Sequence, residues 1–246
     1  MIKVFLDNCI FSVSETLQYQ ISQKTLKWGN QVLTNDILGY ARKPLPDDNS
    51  QWKRNQIMCI PTIVNLVYEN KLQFFSYNEV KFEGWKKILL EEKGYLLKNV
   101  TIEFIEPAID RSYFQSMDFF EFIDNKNVID FCKFLLSLNN ADIKNLVRNT
   151  SNYPNLTKKS INNIERFKEI CSGLSDKQLP DAFHLWSAEV NGLDYFLTID
   201  KRFINTMNIT KKINLNCLPI SPEKLLEKLK VKECILMEFQ KNKFIQ

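Results

Sequence analysis

Short apolar runs recur along the chain with a spacing that is typical of an α/β protein. Residues 2–6, 72–75, 101–105, 195–199 and 215–219 are mostly apolar, and each has the length of a strand. The segments between most of these runs carry apolar residues at helical spacing. Strands that alternate with helices favour a parallel sheet that is covered by helices on both faces, so the sequence predicts that architecture.

Three of the intervening segments predict helices in particular places. Residues 9–42 mix helix formers with scattered apolar positions, which indicates one or two helices. Pro61 is predicted to open a helix, because proline is favoured at the first helical position. Residues 112–150 place aromatic and aliphatic side chains such as Phe131 and Leu138 at helical spacing, so this segment is predicted to be all-helical.

The length and composition of the chain predict one cytoplasmic domain. The chain has 246 residues, 44% of them hydrophobic, which is enough for one sizeable core, and we expect a single domain over residues 1–246. Met1 leads directly into a strand-like run, without the charged and apolar regions of a signal peptide. No run reaches the roughly 18 apolar residues of a membrane helix, so no membrane association is expected.

Charge and cysteine content narrow the chemistry only a little. The net charge of +4 would suit a phosphate backbone, but the excess is small. The six cysteines include no CxxC pair and His184 is the only histidine, which disfavours the common zinc sites. The cysteines are far apart and mostly flanked by apolar residues, so we expect them to be reduced and buried. His184 itself is expected to pack or hydrogen-bond against a neighbouring element.

Three aspartates occupy positions where a parallel sheet would gather them. Asp7 ends the first apolar run, Asp200 follows the run at 195–199, and Asp181 follows Pro180 in the first turn of a predicted helix. Clustered carboxylates repel one another unless a cation lies among them, and hard cations prefer oxygen ligands. The arrangement therefore predicts a divalent-metal site at the carboxyl edge of the sheet.

These motifs resemble those of PIN domains, metal-dependent ribonucleases that include many toxins of bacterial toxin–antitoxin pairs. The resemblance covers roughly residues 1–110 and 160–230 and implies a PIN-like central parallel sheet with helices on both faces. Residues 112–150 would then be an additional all-helical insert. The matching segments are Val4-Phe5-Leu6-Asp7, the strand before Ser76 with its Glu-bearing helix, Asp181-Ala182-Phe183-His184-Leu185 with Ala188, residues 192–203, and a strand that leads into Ser221-Pro222-Glu223.

The resemblance implies hydrolysis of RNA phosphodiester bonds with one or two Mg²⁺ or Mn²⁺ ions. Asp7, Asp181 and Asp200 would bind the metal, and a fourth acid would lie on the helix after Ser76. It also implies an RNA substrate, with an antitoxin protein and a second copy of the chain as candidate partners. Metal ions would lower the pKa of a bound water and neutralise charge on the phosphate oxygens.

Two glutamates compete for the fourth position. Glu79 and Glu83 lie one turn apart on one face of the predicted helix. With Ser76 as N-cap, Glu79 would occupy the third position of a capping box, which gives it a structural role. Glu83 lies deeper in the helix beside Phe82, where a carboxylate is costly unless it is paired or bound to metal. We therefore expect Glu83 to complete the acidic cluster.

Neighbouring residues are predicted to support this site. Thr198 matches a position where the family often places a hydroxyl near the metal, and Asn8 lies beside the first acid. Lys201 and Arg202 directly follow Asp200 and are the expected phosphate contacts. The chain departs from the family pattern after Asp7, where PIN domains often have a small or hydroxyl residue and then Asn, and this chain has Asn8 and Cys9.

Two other functions are compatible with parts of the pattern. A PIN-like RNA- or protein-binding scaffold without catalysis would have the same fold, but such relatives usually lose one or more acids. A phosphatase of the haloacid dehalogenase type also begins with a strand that ends in aspartate. That chemistry requires a second aspartate two residues later, where this chain has Cys9.

Overall fold

The structure is a computed structural model that describes residues 1–43, 50–83, 96–148, 152–209, 213–235 and 244–245. No helix in these ranges has both the length and the apolar character that a membrane span requires. The strands are β1 (Ile2–Leu6), β2 (Leu17–Trp28), β3 (Gln31–Arg42), β4 (Leu72–Ser76), β5 (Ile102–Phe104), β6 (Tyr195–Leu197), β7 (Leu218–Ile220) and β8 (Phe244–Ile245). The α-helices are α1 (Asn8–Ser14), α2 (Gln51–Tyr68), α3 (Asn78–Glu83), α4 (Phe119–Phe122), α5 (Asn125–Ser137), α6 (Asn140–Arg148), α7 (Asn155–Asn162), α8 (Ile164–Cys171), α9 (Leu179–Val190), α10 (Lys201–Ile209) and α11 (Pro222–Lys228).

A five-stranded parallel sheet forms the centre of the fold, with the strand order β5-β4-β1-β6-β7. In the central strand, Val4 lies opposite Phe74 on one side and Tyr195 on the other. All five strands occur where the apolar runs predicted them, with shifts of up to three residues at their ends. The prediction of an α/β fold with a parallel sheet is confirmed.

Helices cover both faces of this sheet because successive strand residues point to opposite sides. Val4 and Leu6 face one apolar cluster, and Phe5 faces the other. The first cluster is built with buried residues of α1, α2 and α11, namely Ile10, Ile60, Ile63, Val64, Leu66, Leu225 and Leu226. The second is built with buried residues of α5 and α7–α10, including Phe131, Ile161, Phe167, Phe183, Trp186 and Phe203.

The prediction of helix across residues 9–42 is wrong beyond α1. β2 and β3 instead form an antiparallel hairpin over residues 17–42, and β8 pairs with the base of β3. The two-residue turn contains Gly29, whose φ of 59° is accessible to glycine without the steric cost that other residues incur. A Gly-Asn pair between two β-prone runs is a hairpin signal that outweighs the scattered apolar spacing.

Pro61 lies inside α2 and does not open it, so that prediction is also wrong. The helix begins ten residues earlier at Gln51. Ile57 and Ile60 before the proline, and Ile63 after it, are all buried, so one apolar stripe runs through the whole helix. Burial of this stripe outweighs the cost of an interior proline, which is about 3 kcal/mol.

The described part of the 112–150 segment contains α4, α5 and α6 and no strand. α5 packs against α8 and α9, and its residues Phe131, Cys132 and Leu135 are almost fully buried in the second apolar cluster. The segment therefore contributes to the core of the molecule as well as to its surface.

Candidate functional site

The three predicted aspartates line one cavity of about 340 Å³ at the carboxyl edge of the parallel sheet. Asp7 follows β1, Asp200 follows the neighbouring strand β6, and Asp181 lies in the first turn of α9. Because β1 and β6 pair directly, their carboxyl ends place Asp7 and Asp200 at the same edge. The rest of the lining consists of Asn8, Cys9, Ser12, Val13, Lys53 and Ile199.

The carboxylate of Asp7 is held by two donors on a single oxygen. Thr198 Oγ1 donates to Asp7 Oδ2 over 2.6 Å, and Cys9 Sγ donates to the same oxygen over 2.8 Å. Asp7 is also the N-cap residue of α1, where the positive end of the helix dipole favours a carboxylate. These contacts fix the orientation of a side chain that is only 5% exposed.

Thr198 connects the first aspartate to the second. Its hydroxyl donates to Asp7 and accepts a hydrogen bond from the backbone N–H of Asp200 over 3.0 Å. Asp200 Oδ1 in turn accepts from the backbone N–H of Phe203 over 2.8 Å, so this carboxylate caps the start of α10. The predicted supporting role of Thr198 therefore has a definite geometry, in which one buried hydroxyl links two strand ends.

Cys9 is a component of the site that the sequence marked only as a departure from the family pattern. Its sulfur accepts a hydrogen bond from the backbone N–H of Ile199 over 3.2 Å and lies 3.3 Å from Thr198 Oγ1. Burial, together with the negative charge of Asp7, raises the pKa of the Cys9 thiol well above its ordinary value. Cys9 is therefore a protonated thiol that donates to Asp7.

The other cysteines do not form a comparable group. All six are unpaired, and Cys132, Cys171 and Cys217 are buried as predicted. The prediction of burial is wrong for Cys234, which is exposed, and Cys9 and Cys59 are only partly buried.

Asp181 is half-buried in the first turn of α9, two residues after its first residue and directly after Pro180. A carboxylate at this position is stabilised by the positive end of the helix dipole. The same helix buries Phe183 and Trp186 in the core, which fixes the direction in which its first turn meets the sheet edge.

The basic residues around the cavity differ in part from those selected from the sequence. Lys53, on α2, lines the cavity. Lys201 and Arg202 are exposed in the first turn of α10 and are not part of the lining. Lys201 Nζ lies 5.6 Å from the centre of the Trp52 ring. Trp52 immediately precedes Lys53 in the chain, so Lys53 and Lys201 lie near the same rim of the cavity.

The capping box predicted for Glu79 is not formed. Ser76 Oγ is buried without a hydrogen-bond partner, and Glu79 Oε2 accepts a hydrogen bond from Arg111 Nε over 2.6 Å. Both members of this ion pair are buried. The pKa of Glu79 is raised by burial, against the opposing effect of the Arg111 charge. The side chain of Glu83 lies outside the described residues, so its assignment as the fourth acid stays a prediction.

Arg111 donates to two further acceptors where it pairs with Glu79. Its Nη1 donates to Gln115 Oε1 over 2.9 Å, and its Nη2 donates to the carbonyl oxygen of Phe122 over 2.8 Å. The guanidinium carbon also lies 4.2 Å from the centre of the Phe122 ring. Glu79 therefore joins α3 to the segment that leads into α4, a structural role different from the one the sequence suggested.

His184 is buried on α9 and hydrogen-bonds through Nδ1 to the hydroxyl of Tyr77, which follows β4. The two rings are 5.5 Å apart between centres. This confirms the prediction of a histidine that packs against a neighbouring element.

The cavity has the donor chemistry of a hard-cation site, since its lining includes three carboxylates and the amide of Asn8. As these side chains stand, no group of three or more His, Cys, Asp or Glu residues within the described ranges could hold a metal ion. The donor types fit Mg²⁺ or Mn²⁺, and their present separation requires side-chain movement before they could converge on one ion.

Known protein sequences add no assignment to this geometry. No protein-family model matches the chain, and no curated protein sequence matches it at a significant level.

Proposed function

We propose that this protein is a metal-dependent endoribonuclease with a PIN-like fold. The observation that carries the proposal is the meeting of Asp7, Asp181 and Asp200 in one cavity at the carboxyl edge of the parallel sheet. Asp7 is far from the other two acids in the chain. Asp7 lies directly after β1, and Asp200 lies three residues after the end of the neighbouring strand β6. Carboxylates that converge on one point repel one another, and a bound cation offsets that repulsion.

In this proposal the chain's own residues prepare the carboxylates. Thr198 and Cys9 hold one oxygen of Asp7, and the backbone N–H of Phe203 holds one oxygen of Asp200. Asp181 rotates toward them from the first turn of α9, and Glu83 supplies the fourth carboxylate from α3. A bound Mg²⁺ or Mn²⁺ would activate water and neutralise charge on the scissile phosphate.

Basic residues at the rim would hold the RNA backbone. Lys53 lines the cavity itself, and Lys201 and Arg202 are exposed at the start of α10. Contacts from these side chains to phosphate oxygens would fix the register of the strand without reading its sequence. A role as the toxin of a toxin–antitoxin pair would follow from the same chemistry, with the antitoxin as an inhibitor.

The test is cleavage of single-stranded RNA by the purified protein with Mn²⁺ or Mg²⁺, with and without EDTA. We expect cleavage that EDTA stops, and a loss of roughly two orders of magnitude in Asp181→Asn. Asp194→Asn is the matched control, because Asp194 lies just before β6, at the opposite edge of the sheet, and accepts a hydrogen bond from Lys3. Cleavage that persists in EDTA, or near-normal turnover in Asp181→Asn, would contradict the proposal.

The second candidate is a catalytically inactive RNA- or protein-binding scaffold. It is favoured by the separation of the described acidic side chains, which do not form a ready metal group. The same assay separates the two functions, because a scaffold would bind RNA in a gel-shift experiment without cleaving it in either metal.

A further inference from the structure

The β2–β3 hairpin exposes large apolar side chains along most of its length. Trp28 is 79% exposed, and Leu26 and Leu33 are 58% and 55% exposed. Ile21 and Leu38 are each 61% exposed. Within the described residues only the base of the hairpin is covered, where Leu17 and Ala41 are buried and β8 pairs with β3.

The register of the hairpin sorts these side chains onto two faces. Leu26 lies directly opposite Leu33, and Lys24 and Trp28 lie two residues before and after Leu26 on the same strand. Because strand residues alternate between faces, these four side chains share one face, which we call the Leu26 face. Ile21 lies opposite Leu38, an odd number of residues from Leu26, so this pair belongs to the opposite, Ile21 face.

A two-stranded hairpin with such a surface needs a partner. An isolated hairpin is marginally stable in water unless a further strand or a packed apolar face supports it. Leu26, Leu33 and Trp28 together expose on the order of 300 Å² of apolar surface. Contiguous apolar patches of this size commonly mark an interaction site.

The charges of the hairpin favour a protein partner over a nucleic acid. Between residues 20 and 38 the ionisable side chains are Lys24, Lys27 and Asp36 alone. A hairpin that binds nucleic acid is expected to place several basic side chains against the phosphate backbone. The exposed aliphatic residues have no counterpart in that kind of recognition, whereas they are typical of the buried centre of a protein interface.

We propose that the Leu26 face pairs with the Leu26 face of a second copy of this chain. A two-fold axis through the Leu26–Leu33 pair exchanges the positions of Lys24 and Trp28, because each is two residues from Leu26. Leu26 and Leu33 of the two copies would then pack together at the axis. Each Lys24 would meet the Trp28 ring of the other copy, which is a favourable cation–π contact.

This self-complementarity is what an isologous interface requires, since the same patch must fit itself. Two such faces with their polar rims approach the lower end of stable interfaces, about 1,200 Å² in total. The surface lies on the hairpin and shares no residue with the lining of the acidic cavity. The proposal therefore stands or falls independently of the nuclease function.

The experiment measures the dimer dissociation constant of the full chain by sedimentation equilibrium over a wide range of protein concentrations. Leu26→Ser with Leu33→Ser removes the centre of the proposed interface and should raise the dissociation constant by about a hundredfold. Ile21→Ser with Leu38→Ser is the matched control, because it removes an equally exposed cross-strand pair from the other face of the same hairpin. We expect the control to dimerise as the unaltered protein does.

Three results would overturn the proposal. One is an unaltered protein that stays monomeric at every concentration, and a second is an unchanged dissociation constant in the Leu26–Leu33 variant. The third is an equal loss in both paired variants, which would indicate a general effect on the hairpin.

If the protein is monomeric and the Leu26–Leu33 variant loses RNA binding in EDTA, the surface binds RNA and the proposal is wrong. Circular dichroism of both variants checks that the fold is retained.

Discussion

The hydroxyl of Thr198 contacts both of the aspartates that follow the central strands. It donates to Asp7 Oδ2 and accepts from the backbone N–H of Asp200, and its side chain is fully buried. A side chain that orients one carboxylate and fixes the backbone of another acts on the candidate metal site without being a ligand. Its effect should therefore be visible in cation binding as well as in stability.

We predict that Thr198→Val weakens Mn²⁺ binding by roughly 10- to 100-fold. Valine has the same shape but removes the donor to Asp7 and the acceptor for Asp200, which should lower the free energy of unfolding by about 1–3 kcal/mol. Isothermal titration calorimetry and urea unfolding measure the two effects. Thr198→Ser keeps the hydroxyl and should restore most of the affinity. Equal Mn²⁺ affinity in the valine variant would show that the hydroxyl does not orient the site.

The aspartates of the site could be predicted from the sequence, whereas their surroundings could not. Asp7 directly follows β1 and Asp200 lies three residues after the end of β6, and the geometry of a parallel sheet places such residues at one edge. Lys53 reaches the cavity through the packing of α2, which no local pattern reveals. The partner of Glu79 is Arg111, 32 residues away, so spacing alone favoured the capping box that the fold does not form.

The elements that were predicted best are those whose residues are mostly apolar and buried. The five strands of the parallel sheet are short apolar runs, and each was found within a few residues of its position. The hairpin was missed because its apolar side chains are exposed on both faces. Apolar and polar residues therefore do not alternate regularly along β2 and β3. The start of α2 was missed because a proline often marks the first turn of a helix. That signal at Pro61 was given more weight than the apolar residues that precede it.

The role of α5 can be tested by comparing two neighbouring positions. Leu135 is 1% exposed within the second apolar cluster, whereas Lys133 is exposed and pairs with Asp176. We predict that Leu135→Ala lowers the free energy of unfolding by about 2–5 kcal/mol, because it leaves a cavity in the core. Lys133→Ala, on the same helix, should leave the free energy of unfolding nearly unchanged, because its ion pair with Asp176 is exposed to solvent. Urea unfolding of both variants measures the difference.

The outcome for α5 decides how the 112–150 segment relates to the rest of the molecule. A large loss at Leu135 would mean that this helix folds cooperatively with the parallel sheet. A cost at Leu135 no greater than that at Lys133 would show that α5 is a separable annex, as an insert that merely lies beside the core would be.

At the scale of the whole molecule, the fold gathers negative charge at one place in a chain whose net charge is +4. The order of strands brings the ends of β1 and β6 together, and α9 adds Asp181 from the helical layer above them. The unfolded chain holds these acids far apart, so it has no comparable cation site. Any cation that binds the gathered acids must therefore stabilise the folded protein.

We predict that Mn²⁺ at about 100 times its dissociation constant stabilises the protein by about 2.7 kcal/mol, because it binds the folded state alone. For a chain of this length, that corresponds to a rise of roughly 5–10 °C in melting temperature. Asp200→Asn should lose most of the rise. Asp194→Asn should keep it, because Asp194 lies at the opposite end of β6 from the acidic cavity. Differential scanning calorimetry with Mn²⁺ and with EDTA gives the values. A melting temperature that does not respond to Mn²⁺, or one that rises equally in the two variants, would mean that the gathered aspartates are not a cation site.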